Sequence, residues 1–242
     1  MSTDLTSPVT GGRVPLATAG LLIGMLLSVL DQTVVAIALP DIAADLDGSG
    51  SMDAAGWIVT SYVLASTATG ALYGRISDRF GRRPVFVTAI VVFVVGSALC
   101  GLAQTTAQLI AARTFQGVGA GALFVLPTIA LSELYPKHLR GRVQGLTGGV
   151  FALASVGGPL AGGLITDAWG WRWIFYVNLP LGLVAVAFTA FALRLPRSGG
   201  DGRVDVTGAV LVAGAAVGLL LVAGWGGRAY AAPEQQPIGQ WR

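Results

Sequence analysis

Three ionisable side chains lie within otherwise apolar stretches of this sequence: Asp31, Arg113 and, close to the end of its stretch, Glu133. An acid or a guanidinium at the centre of a bilayer costs about 2.5–3.5 kcal/mol, so each is expected to face a partner or a water-filled cavity. Asp31 stands about eight residues from the outer end of the first stretch and Arg113 about six from the outer start of the fourth, which sets both at similar depth. Gln116, one helical turn beyond Arg113, adds an amide to the same patch. The chemistry available there is proton exchange, because a carboxyl that gains and loses a proton changes its attraction to a neighbouring cation. The same residues also permit a plainer arrangement, with Arg113 snorkelling to the interface and Asp31 a tolerated polar residue of the core.

Other chemistries lack their parts. One cysteine, Cys100, and one histidine, His138, allow no intrachain disulfide, no Cys/His zinc cage and no Cys-x-x-Cys redox site. His138 falls in a turn between apolar stretches, so a serine or cysteine nucleophile inside a membrane has no imidazole base. The only lysine, Lys137, follows Pro136, and no Gly-x-x-x-x-Gly-Lys phosphate loop exists. The expectation is therefore a non-enzyme without metal or cofactor, driven by a gradient.

The elements that must hold Asp31 and Arg113 follow from composition. Of the 242 residues 54% are hydrophobic and only 11% charged, and the mean hydropathy is +0.72. Such a chain cannot cover a soluble globule with polar surface and suits a polytopic, all-α membrane protein. A net charge of +3 is too small for a nucleic-acid-binding face. Windows of roughly 20 apolar residues, the length that crosses a core of about 30 Å, occur at 17–39, 56–74, 84–103, 107–131, 144–166, 173–193 and 206–225. They leave a polar tail (1–16) without signal-peptide features, a loop at 194–205 and a final segment at 226–242.

Basic residues orient the windows. With the amino terminus in the cytoplasm, eleven Lys and Arg fall on the inner side and three (Arg172, Arg228 and Arg242) on the outer. The first outer loop is acidic, with Asp41, Asp45, Asp47 and Asp53, and all six tryptophans fall at or beyond outer ends as a one-sided interfacial belt.

The inner turn between windows two and three carries Gly74, Asp78, Arg79, Gly81, Arg82, Arg83 and Pro84, where glycine permits a tight reversal and proline opens the next helix. Glu133 and Arg140 flank the next inner turn and are expected to join Arg82 or Arg83 in a charge network that latches one conformation. In the fifth window Gly158, Pro159, Gly162 and Gly163 predict a kinked helix against which a neighbour closes. Six Gly-x-x-x-Gly pairs offer bare backbone for packing: Gly20/Gly24, Gly70/Gly74, Gly117/Gly121, Gly145/Gly149, Gly158/Gly162 and Gly214/Gly218.

Five motifs in order resemble the major facilitator superfamily, specifically its fourteen-spanner drug:proton antiporter family, the EmrB/QacA type. They are Leu30-Asp31-Gln-Thr-Val-Val-Ala-Ile-Ala-Leu-Pro40, the turn from Gly74 to Arg83, Arg113-Thr-Phe-Gln116-Gly117-Val-Gly119-Ala-Gly121, Gly158-Pro159-Leu-Ala-Gly162-Gly163, and Trp171-Arg-Trp-Ile-Phe-Tyr-Val-Asn178-Leu-Pro180-Leu-Gly182. Ala154 departs from the family's habit of opening the helix-five motif with glycine.

The resemblance implies a six-helix amino-terminal transporter bundle plus a seventh helix, stopping before an eighth. It implies that the loop around Asp78 and Arg79 governs switching, that Asp31 and Arg113 serve proton coupling or line the cavity, and that the Gly158-Pro159 motif is tied to export. The expected partners are the lipid bilayer, a small amphipathic or cationic drug-like substrate, protons and a missing carboxyl-terminal half, in a bacterial inner membrane. A sugar or metabolite carrier of the same superfamily and a non-transporting truncated membrane protein are the alternatives.

Overall fold

The computed structural model describes residues 14–47 and 52–193, with four isolated helical positions at 211, 214, 215 and 218. The predicted seventh window at 206–225 is thus touched only at those four positions, and the loop at 194–205 and the segment at 226–242 lie outside the described residues. Within them the chain forms α1 (Val14–Asp47), α2 (Met52–Phe80), α3 (Arg82–Leu102), α4 (Thr106–Leu134), a short 3-10 turn (Lys137–Leu139), α5 (Arg140–Trp169), α6 (Trp173–Tyr176) and α7 (Asn178–Ala192). The long helices run up and down, so that Arg75, Arg79, Arg82, Arg83, Lys137, Arg140 and Arg142 share one end, the basic end. Trp57, Trp169, Trp171 and Trp173 share the other.

Among the described residues five stretches are long and apolar enough to cross a membrane: Val14–Leu46, Arg82–Leu102, Thr106–Leu134, Lys137–Trp169 and Trp173–Ala192. α2 is long enough, at about 43 Å for its 29 residues, but more polar. It carries hydroxyls along its middle, and these are satisfied locally: Thr60 donates to the Gly56 carbonyl at 2.8 Å, Ser66 to Val63 at 3.0 Å and Thr69 to Ala65 at 2.7 Å. Back-bonding of this kind makes a hydroxyl-bearing helix compatible with an apolar surrounding.

The helices overrun the predicted windows. α1 continues through Pro40 to Asp47, because a proline withdraws only one donor, and an established helix can pass it when its far end is anchored. Here Asp45 is the anchor, accepting from Trp171 Nε1 at 3.1 Å and Arg172 Nη1 at 2.7 Å. Asp41 and Asp45, expected in a loop, are therefore helical. The sixth window divides at Val177 into α6 and α7, while Val177 keeps helical dihedrals (φ −59°, ψ −28°) and the backbone runs on as one span. Pro180 has no N–H for the Tyr176 carbonyl, so the α-helical ladder lapses there and restarts at Asn178. At α4, Thr105 caps the helix by accepting from the Gln108 backbone, while the Gln108 side chain accepts from Gln104 N.

Two reversals use glycine in the left-handed region. Gly81 (φ 94°) ends α2 and donates to the Ser77 carbonyl, and Gly170 (φ 89°) ends α5 and donates to Thr166.

Close packing sorts the glycine pairs. A Cβ at Gly117 would lie 2.6 Å from the Tyr62 carbonyl and one at Gly121 2.5 Å from that of Ser66, so α4 rests backbone to backbone on α2. Gly119, between them, faces α3, 2.6 Å from the Ala89 carbonyl and the Phe93 nitrogen. Gly158 and Gly162 close α5 on α1 at Thr33 and Val34, and Gly20 and Gly24 seat α1 against Thr189 and Phe86. Gly70 approaches α4 at ordinary distances, with Val125 3.4 Å away, and Gly74 has only Ile129 at 3.9 Å. Gly145, Gly149, Gly163, Gly214 and Gly218 have nothing within 4 Å among the described residues. Pro159 sits inside an uninterrupted α5.

Candidate functional site

α4 presents Arg113 and Gln116 on one face, three residues apart, and Gly96 of α3 lets that face come close: a Cβ at Gly96 would lie 2.6 Å from Gln116 Cα. α1 brings Asp31 to the same point. Arg113 Nη1 donates to Asp31 Oδ2 at 2.5 Å and to Gln116 Oε1 at 2.8 Å, while Gln116 Nε2 donates to Asp31 Oδ1 at 2.9 Å. The ion pair is shut off from the surface, with side-chain exposures of 0% and 1%. Arg113 therefore does not snorkel.

The sixth span adds a third element. Asn178, the first residue of α7, donates from Nδ2 to Asp31 Oδ1 at 2.8 Å and to Ser97 Oγ at 3.0 Å. Ser97 in turn donates to the Phe175 carbonyl at 2.9 Å, just ahead of Val177. Tyr62 of α2 closes the remaining side, its ring 3.9 Å from the Arg113 guanidinium carbon, with Phe175 at 6.0 Å. Cys100 donates weakly to Gln116 Oε1 at 3.4 Å. Three atoms at the centre have no hydrogen-bond partner among the described residues: Arg113 Nε, Arg113 Nη2 and Asn178 Oδ1.

Asn178, Ser97 and Tyr62 are not among the site residues expected from the sequence. The sequence carries a signal for two of them, Asn178 and Tyr62. Asn178 is the only asparagine in the chain and lies within an apolar window, where an amide needs a partner. Tyr62 stands six residues into the second window, the depth at which Arg113 stands in the fourth, and so is misplaced for an interfacial tyrosine.

At the basic end, Arg82 gathers the turn. Its guanidinium pairs with Asp78 at 2.6 Å and Glu133 at 2.8 Å, donates to the Gly74 carbonyl at 3.2 Å and also bonds Ser77. One arginine thus ties the carbonyl end of α2 to the end of α4 across the start of α3. Arg140 reaches the Ser132 carbonyl at 3.5 Å, beside Glu133 rather than on it. Arg79 lies over the exposed Phe80 ring, and Arg83 is exposed.

Between α1, α2 and α4 opens a cavity of about 350 Å³ lined by Ser28, Gln32, Tyr62, Ser66, Thr67 and Phe124 among others. Among the described residues its wall carries hydroxyls, an amide and two aromatic rings but no charge. Asp31 and Gln32, adjacent in α1 and so about 100° apart round the helix, face different ways, one into the ion pair and one towards this opening.

Residues 21–229 match the family model of the Major Facilitator Superfamily. The chain belongs to that superfamily. Among curated relatives, Multidrug resistance protein 3 of Bacillus subtilis is 40% identical over 220 residues, 91% of this chain and 42% of the relative. The Multidrug transporter protein MdtP of the same organism is 39% identical, covering 91% and 40%, and the MFS-type efflux pump LUC4 of a Fusarium species is 37% identical, covering 98% and 41%. The chain spans about two-fifths of the length of these relatives.

Among solved structures, the human organic anion transporter MFSD10 (TETRAN) superposes with a TM-score of 0.70 at 18% identity, covering 95% of this chain and 59% of that one. The xylose transporter XylE of E. coli, in a partially occluded inward-open conformation, gives 0.67 at 20%, covering 90% and 59%. At these identities the likeness is one of fold. Superfamily and apolar helices together make this a multi-pass membrane protein, similar in sequence to proteins named as multidrug transporters.

Proposed function

We propose that this major facilitator chain forms the amino-terminal half of a fourteen-spanner drug:proton antiporter of the EmrB/QacA type, and that Asp31 carries the exchanged proton. The observation that carries the reading is the Asp31 carboxylate, buried among apolar helices and held by Arg113, Gln116 and Asn178 from two other elements. Protonating Asp31 cancels its attraction to Arg113, which is of the order of 4 kcal/mol for unit charges about 4 Å apart at an effective dielectric constant near 20. That approaches the roughly 5.5 kcal/mol needed to turn a 1:99 conformational equilibrium into 99:1.

Supporting the half-transporter reading, α5 packs chiefly on α1, and only 17% of its most apolar stretch is covered, against 56% for α1 and α4. A second half would cover the rest, completing alternating access around the cavity beside α2. The uncharged, partly aromatic lining supports an amphipathic drug-like substrate, and a cation would find its counter-charge elsewhere in the complete protein. The basic end supports a cytoplasmic amino terminus in a bacterial inner membrane, with the Arg82–Asp78–Glu133 cluster latching the inner face and the Gly158-Pro159 segment of α5 serving export. No cofactor is invoked; the proton gradient supplies the energy.

In inside-out vesicles bearing the complete transporter, accumulation of ethidium is expected to collapse with a protonophore and to be absent in Asp31→Asn. Full gradient-driven accumulation by Asp31→Asn would sink the proposal.

A further inference from the structure

Tyr62 belongs to two places at once. Its ring covers the Arg113 guanidinium at 3.9 Å, on a cation whose Nε and Nη2 have no hydrogen-bond partner among the described residues. The same residue lines the cavity between α1, α2 and α4, and its hydroxyl donates to the Ser28 carbonyl at 3.1 Å beside the Ser28 hydroxyl at 3.3 Å, another part of that lining. The groups facing Asp31 are complete on every side: Arg113 and Gln116 from α4, Asn178 from α7, with Tyr62 of α2 and Cys100 of α3 against Arg113 and Gln116.

We infer that Tyr62 couples the cavity to the proton site: with Asp31 ionised its ring rests on Arg113, and on protonation of Asp31 it leaves Arg113 only where the cavity is free to take it. At about 350 Å³ the cavity has room for the phenol ring to swing in once Asp31 is protonated, with Arg113 following it. An occupant blocks the swing, keeps the ring on Arg113 and so keeps Asp31 ionised. Occupancy and protonation thus oppose each other, and linkage makes the opposition reciprocal. This mechanism rests on the export reading but assigns the link between its two sites to one side chain.

Occupancy can be fixed covalently. Thr67 is exposed and lines the cavity, whereas Cys100, the only native cysteine, is buried. The purified 242-residue chain carrying Thr67→Cys, labelled with benzyl methanethiosulfonate and checked by intact mass, is titrated by infrared difference spectroscopy. The protonated carboxyl stretch of Asp31 is assigned by its loss in Asp31→Asn. Labelling is expected to lower the proton affinity of Asp31 about tenfold, or about one pH unit. The shift is expected to persist with Tyr62→Phe, which keeps the ring, and to vanish with Tyr62→Leu, which a merely structural role would not produce in that order.

Identical titrations of labelled and unlabelled chain with Tyr62 intact would overturn the inference, whether or not Tyr62→Leu folds. So would a shift that survives Tyr62→Leu. The export reading fails differently, through an Asp31 band that does not change across the accessible pH range.

Discussion

Replacing Arg113 by alanine is expected to destabilise the bundle by about 3–5 kcal/mol and to abolish transport. The loss is large because the carboxylate of Asp31 would remain, buried at 1% side-chain exposure without its cation. Removing one partner of a buried pair costs more than the pair itself contributes. Asp31 would keep donors from Gln116 and Asn178, which soften the penalty without matching the charge. The double variant Asp31→Ala/Arg113→Ala is therefore expected to recover much of the stability but none of the transport. Thermal unfolding of the purified variants in detergent, read beside vesicle transport, separates the two effects. Equal destabilisation in single and double variants would show that packing against Tyr62, rather than charge, dominates the site.

Gly119→Ala gives the second large effect. Its new Cβ would meet the Ala89 carbonyl and the Phe93 nitrogen at 2.6 Å, both backbone atoms that no rotamer change can move aside. α3 must then retreat from α4, carrying Gly96 away from Gln116 and loosening the amide that holds Asp31 Oδ1. The expected cost is about 1–3 kcal/mol, with transport reduced as well. Gly145→Ala is the matched control, since nothing lies within 4 Å of its added carbon. It is expected to change stability by less than about 0.5 kcal/mol, measured by the same unfolding experiment.

These two sites show what a sequence discloses and what it withholds. Asp31, Arg113 and Gln116 stand out because charge in an apolar helix demands compensation, and helical periodicity with matched depth is enough to pair them. Asn178 and Tyr62 complete the same cluster yet carry no formal charge, so their position had to come from the division at Val177 and from α2 lying on α4. The division itself traces to Pro180 and was legible in principle.

Helix ends were less so. α1 passes Pro40 because Asp45 is gripped by Trp171 and Arg172, residues 126 and 127 positions away along the chain. Glycine pairs carry the same lesson. Gly117/Gly121 and Gly145/Gly149 are identical as patterns, and only the neighbour's backbone distinguishes a contact from open space. At the basic end, the charges alone leave Arg82 and Arg83 as equal partners for Glu133 and Arg140; the structure gives Glu133 to Arg82 and sets Arg140 on the Ser132 carbonyl.

The account stands on Asp31 exchanging a proton during transport. The most direct test reconstitutes the complete transporter in proteoliposomes with a trapped pH-sensitive dye, imposes an ethidium gradient and follows the internal pH. The account predicts a proton flux opposite to the ethidium flux in the wild type and none in Asp31→Asn; an undiminished opposing proton flux in Asp31→Asn would contradict it.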